Sequence, residues 1–195
     1  MTQRSDAQKN SGSAVAVPPI MRLRVPDQLL TVKPGELPDS LLTDIRPFGR
    51  LYHKAALSYQ VMRRAARAQG VLLRPISAGD TYRSLASQTA AFRARYQREP
   101  IPGASTRTWQ GVKWYLKPGN APLAAPGSSR HNLGLACDYA DTGDPTTWRW
   151  MCENAPRYGW SLEVMPQEPW HWFYFPGDGI PQGVLEAPPQ PSTPA

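Results

Sequence analysis

The chain has 195 residues, 41% of them hydrophobic, and its 22 Lys and Arg outnumber 15 Asp and Glu for a net charge of +7. That is long enough for one domain with a real core and too apolar for a wholly disordered chain, and no apolar run approaches the roughly 18 residues a membrane-spanning helix needs. The basic excess is concentrated in residues 37–98, where eleven basic side chains stand against three acidic ones, and such a half can favour nucleic acid, anionic lipid or another anionic polymer as partner.

Residues 1–36 are polar and weakly patterned and are expected to be mostly tail, with a short strand at Met21–Val25 or Leu29–Val32. The apolar patch Ala14–Val17 is too short for the core of a signal peptide, so export by the general route is not expected. Leu51, Ala55, Tyr59, Met62 and Ala66 recur at helical spacing and predict a helix from Leu51 to about Gln69, stopped by Gly70. Val71–Ile76 reads as a strand and Gly79–Asp80 as a turn. Ser84 suits the N-cap of a second helix reaching about Tyr96, with Leu85, Phe92 and Tyr96 on its buried stripe. Thr108–Trp114 reads as a hairpin turning at Gln110–Gly111. Leu135–Ala140 is a short strand, and Asp144-Pro145 opens a helix to about Asn154. Leu162–Met165 and Trp170–Phe175 are further strands. With no repeat and no regular βαβ alternation, the class is α+β. The folded part is expected over 37–177, and the proline-rich residues 178–195 read as a second tail.

Two of the three histidines lie in dense local contexts, SSRHNLGLACDYA and QEPWHWFYF. Their histidines and one aspartate, His131, Asp138 and His171, make a borderline donor set that suits zinc and leaves a fourth position for water. A plainer reading stands beside it, in which both histidines are packed, hydrogen-bonded core residues and Asp138 is a turn or cap partner. Spacing alone does not decide between them, and there is no HExxH. Glu168 sits three residues before His171, and Pro169 breaks regular strand pairing there, so the loop can bring its carboxylate back as a proton shuttle. Glycosidase chemistry using Glu168 with Asp138 is a weaker option. Cys137 and Cys152 form no CxxC pair, and no GxSxG or phosphate-binding glycine loop occurs. Trp148, Trp160 and Trp170 read as core, whereas Trp109 and Trp114 divide evenly between core and a substrate groove. No nucleic-acid module accompanies the basic segment, so nucleic acid is not an expected partner.

The same strings resemble a known pattern. SSRHNLGLACDYA is similar to the Ser-x-His-x-x-Gly-x-Ala-x-Asp signature of the zinc D-alanyl-D-alanine carboxypeptidase and L-alanyl-D-glutamate endopeptidase family, and EPWHWFYF to its Glu-x-x-His segment. DTYRSLASQ resembles the upstream Tyr-Arg-Ser…Gln element, and the order agrees across about residues 76–175. The resemblance implies a small α+β fold with a central antiparallel sheet, packed helices and one Zn2+ in a surface cleft. It implies His131, Asp138 and His171 as ligands, Glu168 as general base, and Arg83 as the group that binds a substrate carboxylate or steadies the oxyanion. Ser129, Tyr82 and Gln88 take supporting places, Gly134 a tight turn, and Ala136 leaves room near the metal. The Trp-rich stretch Thr106–Leu116 departs from the pattern. The implied activity is hydrolysis of peptidoglycan stem peptides by a monomer. Cell-wall chemistry without a signal peptide points to a phage lysin of the L-alanyl-D-glutamate type, held in the host cytoplasm until lysis. The alternatives are a D-alanyl-D-alanine carboxypeptidase and a non-enzymatic wall-binding protein.

Overall fold

The computed structural model describes residues 20–163 and 168–188. In chain order come α1 (Asp27–Leu30), β1 (Leu42–Asp44), β2 (Arg50–Tyr52), α2 (His53–Ala68), α3 (Leu85–Arg95), β3 (Tyr96–Gln97), β4 (Thr106–Trp109), β5 (Val112–Leu116), β6 (Ala136–Asp138), α4 (Pro145–Asn154), β7 (Trp160–Leu162), β8 (His171–Tyr174) and α5 (Gln182–Leu185). The class is α+β as expected. Instead of one central sheet there are three small antiparallel ones among the described residues: β1–β2, β3–β5–β4 and β6–β8–β7.

Local chemistry explains the helices. Ser84 Oγ accepts the Ser87 N–H at 3.1 Å, and Asp144 Oδ2 accepts the Thr147 N–H at 2.8 Å, so α3 and α4 each start where a side chain satisfies an orphan donor. Pro145 at the first turn of α4 has no N–H to leave unpaired. Helix α2 buries Ala55, Ala56, Tyr59, Met62 and Ala66 completely, while Arg64 and Arg67 face outward. It begins at His53, because Leu51 and Tyr52 belong to β2 and are themselves buried.

The main core lies between α2 and the β6–β8–β7 sheet. Leu51, Tyr59, Met62 and Leu73 meet Leu135, Cys137, Tyr139, Trp160, Trp172 and Tyr174. Because alternate residues on a strand face opposite ways, Cys137, Trp172 and Leu162, paired across the three strands, share the core face. A separate cluster of Phe92, Tyr96, Trp114 and Ala125 joins α3 to the β4–β5 hairpin. That hairpin turns at Gln110 (φ 52°) and Gly111 (φ 72°), the two left-handed positions of a tight two-residue turn.

Several sequence expectations are corrected. Val71–Ile76 forms no strand; only Pro75 makes a single bridge, to Tyr139, and having no N–H it cannot donate to extend a ladder. Residues 20–36 are packed and not tail: Leu29 is 2% exposed, Leu23, Val25 and Val32 lie against the main core, and Arg24 bridges Pro176. At the other end, Asp178 pairs with Lys54 at 2.6 Å and α5 packs on α2, so the folded part continues beyond 177. Val164 and Met165 of the expected strand Leu162–Met165 lie outside the described residues, and β7 runs over Trp160–Leu162. Both cysteines are buried, free thiols. No helix among the described residues is long and apolar enough to cross a membrane.

Candidate metal centre

The second face of the β6–β8–β7 sheet carries the polar residues. Asp138 on β6 stands opposite His171 on β8, a cross-strand pair formed by residues far apart in the chain. His131 arrives from the 3-10 turn Arg130–Leu133 that leads into β6. Ser129 caps this turn, its Oγ accepting the His131 N–H at 3.3 Å. Gly134 closes it at φ +65°, and a Cβ there would stand 2.7 Å from the Tyr52 nitrogen, so a side chain is excluded by both conformation and space.

Three donor atoms converge. His171 Nδ1 lies 2.7 Å from Asp138 Oδ1, His131 Nε2 lies 3.3 Å from His171 Nδ1, and His131 Nε2 lies 3.4 Å from Asp138 Oδ1. Ligands about 2.0–2.1 Å from a tetrahedral zinc ion sit roughly 3.3 Å apart, so this triangle has the size of a zinc site. His131 is 4% and His171 9% exposed, and Asp138 is half-buried. His131 Nδ1 lies 2.8 Å from the Thr81 carbonyl oxygen. Since a carbonyl can only accept, the proton of a neutral ring sits on Nδ1 and the Nε2 lone pair faces the cluster. The donor chemistry, the spacing and the presented lone pair all fit a single Zn2+.

The charges are strongly coupled. Burial pushes the Asp138 carboxyl up, but the neighbouring His131 and His171 rings outweigh it and hold the group below its usual range. Burial alone would lower His171, yet its bonds to Asp138 and Glu163 raise it to about 9 without metal. Cys137 is fully buried and its thiol is pushed well up by desolvation, which removes it as a nucleophile.

The loop before α3 is bonded to the His131 turn. Arg83 N donates to the His131 carbonyl at 3.0 Å, and Asn132 Nδ2 donates to the Arg83 carbonyl at 2.7 Å, so this loop and the His131 turn are bound together. The Arg83 guanidinium donates through Nε to Gly79 O at 2.9 Å and through one terminal nitrogen to Gln88 Oε1 at 3.0 Å. Gln88 is fully buried and donates in turn to Ala124 O at 2.7 Å. Burial lowers the Arg83 pKa, and the nearby carboxylates of Asp138 and Asp80 oppose that shift. Tyr82 serves differently: its hydroxyl accepts the Leu37 N–H at 3.1 Å and ties down the N-terminal segment.

Glu168 enters the turn before β8, where its carbonyl accepts the His171 N–H at 3.1 Å. Its side chain is half-buried and stands outside the three-residue cluster whose donor atoms lie within 4.8 Å of one another. Sequence reasoning missed a different carboxylate. Glu163, just past β7, places Oε2 2.5 Å from His171 Nε2 and Oε1 2.7 Å from Arg130 Nε. No short motif marks it; the signal is its position one residue beyond Leu162, which pairs with Trp172. Trp109 and Trp114 are brought to Phe92, with ring centroids 5.6 and 5.4 Å away, so they build the satellite core and not a groove at the metal cluster. Trp170, expected in the core, is 39% exposed, whereas Trp172 is fully buried.

A D-alanyl-D-alanine carboxypeptidase family model, VanY, matches residues 49–177. A D-alanyl-D-alanine carboxypeptidase of Enterococcus faecalis is 32% identical over 130 residues, covering 56% of this chain and 42% of that protein. The chain thus spans less than half the length of this relative. Among solved structures, the LdcB LD-carboxypeptidase shares the fold at a TM-score of 0.52 and 21% identity, over 78% of this chain and 74% of that one. VanYB in complex with D-alanine-D-alanine gives a TM-score of 0.47 at 24% identity, over 69% and 76% of the two chains. None of these relatives is described as a lysin or an L-alanyl-D-glutamate endopeptidase. With a family model spanning most of the folded chain and a metal-sized His, Asp, His cluster inside the matched segment, the chain belongs to the VanY D-alanyl-D-alanine carboxypeptidase family.

Proposed function

We propose that the chain is a zinc-dependent peptidase of peptidoglycan stem peptides that removes the terminal D-alanine from a D-alanyl-D-alanine end. The observation that carries this reading is the convergence of His131 Nε2, Asp138 Oδ1 and His171 Nδ1 within a segment matched to carboxypeptidases. This replaces the lysin reading expected from the sequence, since the family match and the curated relative both favour the carboxypeptidase. A zinc ion in such a site supplies a water of near-neutral pKa and polarises a carbonyl.

The chain's own residues do the rest. Arg83 receives the free terminal carboxylate of the substrate, which a guanidinium can grip by two parallel hydrogen bonds. Its anchoring by Gly79 and Gln88 holds the guanidinium ready before substrate arrives. Glu168 takes the proton-transfer role that the resemblance of its segment to Glu-x-x-His implies, while Asp138 faces the two histidines and Glu163 is held by Arg130 and His171. Glu168 takes a proton from the attacking water and returns it to the leaving amine.

The test is product analysis. A synthetic stem pentapeptide ending in D-alanyl-D-alanine, incubated with the zinc-loaded chain, is expected to yield free D-alanine and the tetrapeptide. Release of intact stem peptides from purified wall, with no free D-alanine, would overturn the reading.

A further inference from the structure

We infer that Glu163 is the positioning residue of the metal centre, the carboxylate that sets the ring of His171 so that Nδ1 faces the ion. The inference rests on the zinc site and not on which bond is cut.

The sheet places it. β7 pairs with β8 through Leu162 and Trp172, and the Glu163 N–H reaches the His171 carbonyl at 3.4 Å. Asp138 on β6, His171 on β8 and Glu163 just past β7 therefore form one row on the same face. The central imidazole meets a carboxylate on each side: Nδ1 lies 2.7 Å from Asp138 Oδ1, and Nε2 lies 2.5 Å from Glu163 Oε2. A neutral imidazole has one N–H and one lone pair. With the N–H given to Glu163, the lone pair at Nδ1 points to where Asp138 Oδ1 and His131 Nε2 converge.

Glu163 is itself held. Arg130 Nε pairs with its other oxygen at 2.7 Å, and the Arg130 guanidinium lies 3.9 Å over the ring of Phe173, the next residue of β8 on that face. Both carboxylate oxygens are thus engaged, and the one on His171 touches the nitrogen that faces away from the cluster. Glu163 consequently acts through His171 and does not handle the proton of an attacking water. The two histidines are oriented by unlike acceptors, a neutral carbonyl at Thr81 for His131 and a carboxylate for His171. A carboxylate partner also makes the ring a more basic ligand, and such partners are worth roughly tenfold to a hundredfold in metal affinity.

The test measures zinc affinity by chelator competition on the full chain, together with the His171 ring N–H in proton–nitrogen spectra of the zinc-loaded protein. Glu163→Ala is expected to bind zinc roughly tenfold to a hundredfold more weakly and to lose the downfield, slowly exchanging Nε2–H signal. Glu163→Gln, which keeps the shape and a carbonyl acceptor, should fold normally, retain the signal and recover most of the affinity. Arg130→Gln, which removes the ion pair but leaves the carboxylate, should retain the signal and lose less zinc affinity than Glu163→Ala. Wild-type affinity or an unchanged signal in folded Glu163→Ala would overturn the inference, as would an equal loss of zinc in Arg130→Gln. Because none of these readouts involves substrate, failure of the carboxypeptidase reading would leave them unaffected.

Discussion

Asp138 and His171 face each other across β6 and β8, with Oδ1 and Nδ1 2.7 Å apart. The pairing register of one antiparallel sheet thereby joins two ligands from separate sequence motifs, and His131 needs only one short turn before β6 to reach them.

That pair makes the metal-free chain sensitive to pH. His171 has a folded pKa of about 9 against 6.5 for a free histidine, so its contribution to stability is complete below 6.5 and is lost as pH rises through 9. Asp138 is depressed from 3.8, so its contribution is present above 3.8 and is lost as pH falls. Zinc binds the neutral imidazole, so its affinity should instead grow as pH rises. The thermal midpoint of the metal-free chain is expected to drop from pH 6.5 to 9.5 while that of the zinc-loaded chain holds, as scanning calorimetry would show. A flat metal-free midpoint over that range would contradict the coupling.

Glu168→Gln keeps the size of the side chain and removes its basicity. Turnover is expected to fall roughly a hundredfold to ten-thousandfold, with zinc content and thermal midpoint unchanged. Full hydrolysis by the variant would reassign the base.

Arg83→Lys keeps the charge but not the fork that grips a carboxylate. Losing a hydrogen bond to a charged group costs about 1.5–3 kcal/mol, so KM for a substrate with a free terminal carboxylate should rise roughly tenfold or more. A substrate amidated at that end should respond little to the substitution. Equal losses for both would place Arg83 at the oxyanion instead.

The satellite core should be energetically separate from the metal site. Phe92 is fully buried and meets Tyr96, Trp109 and Trp114, so Phe92→Ala should cost about 3–5 kcal/mol in denaturant unfolding. Zinc affinity should stay at the wild-type level. Trp109→Ala should likewise lower stability without raising KM; a raised KM at unchanged stability would return Trp109 to a substrate groove.

How much of this was legible in the sequence depends on the range of the interaction. The helices α2, α3 and α4 were readable to within a few residues, because caps such as Ser84 and Asp144 act on N–H groups three residues away and apolar periodicity is local. The Gln110–Gly111 turn was readable for the same reason, since both residues sit in the left-handed region. His131, Asp138 and His171 were legible as a donor set, and the resemblance named them.

The tertiary structure decided what lies between distant segments. Val71–Ile76 had strand-like composition but found no partner beyond the bridge at Pro75. The segment 20–36 had no pattern of its own, yet Leu29 fills the main core. Trp170 and Trp172 are two residues apart, but only Trp172 lies within β8; Trp170 belongs to the turn before it and remains exposed. Glu163 matters because β7 stops one residue before it in register with β8, and nothing in its neighbouring sequence says so. Short-range chemistry is written in adjacent residues, whereas strand register is a free-energy choice made by the whole core, and it is that choice which lines Asp138, His171 and Glu163 up in one row.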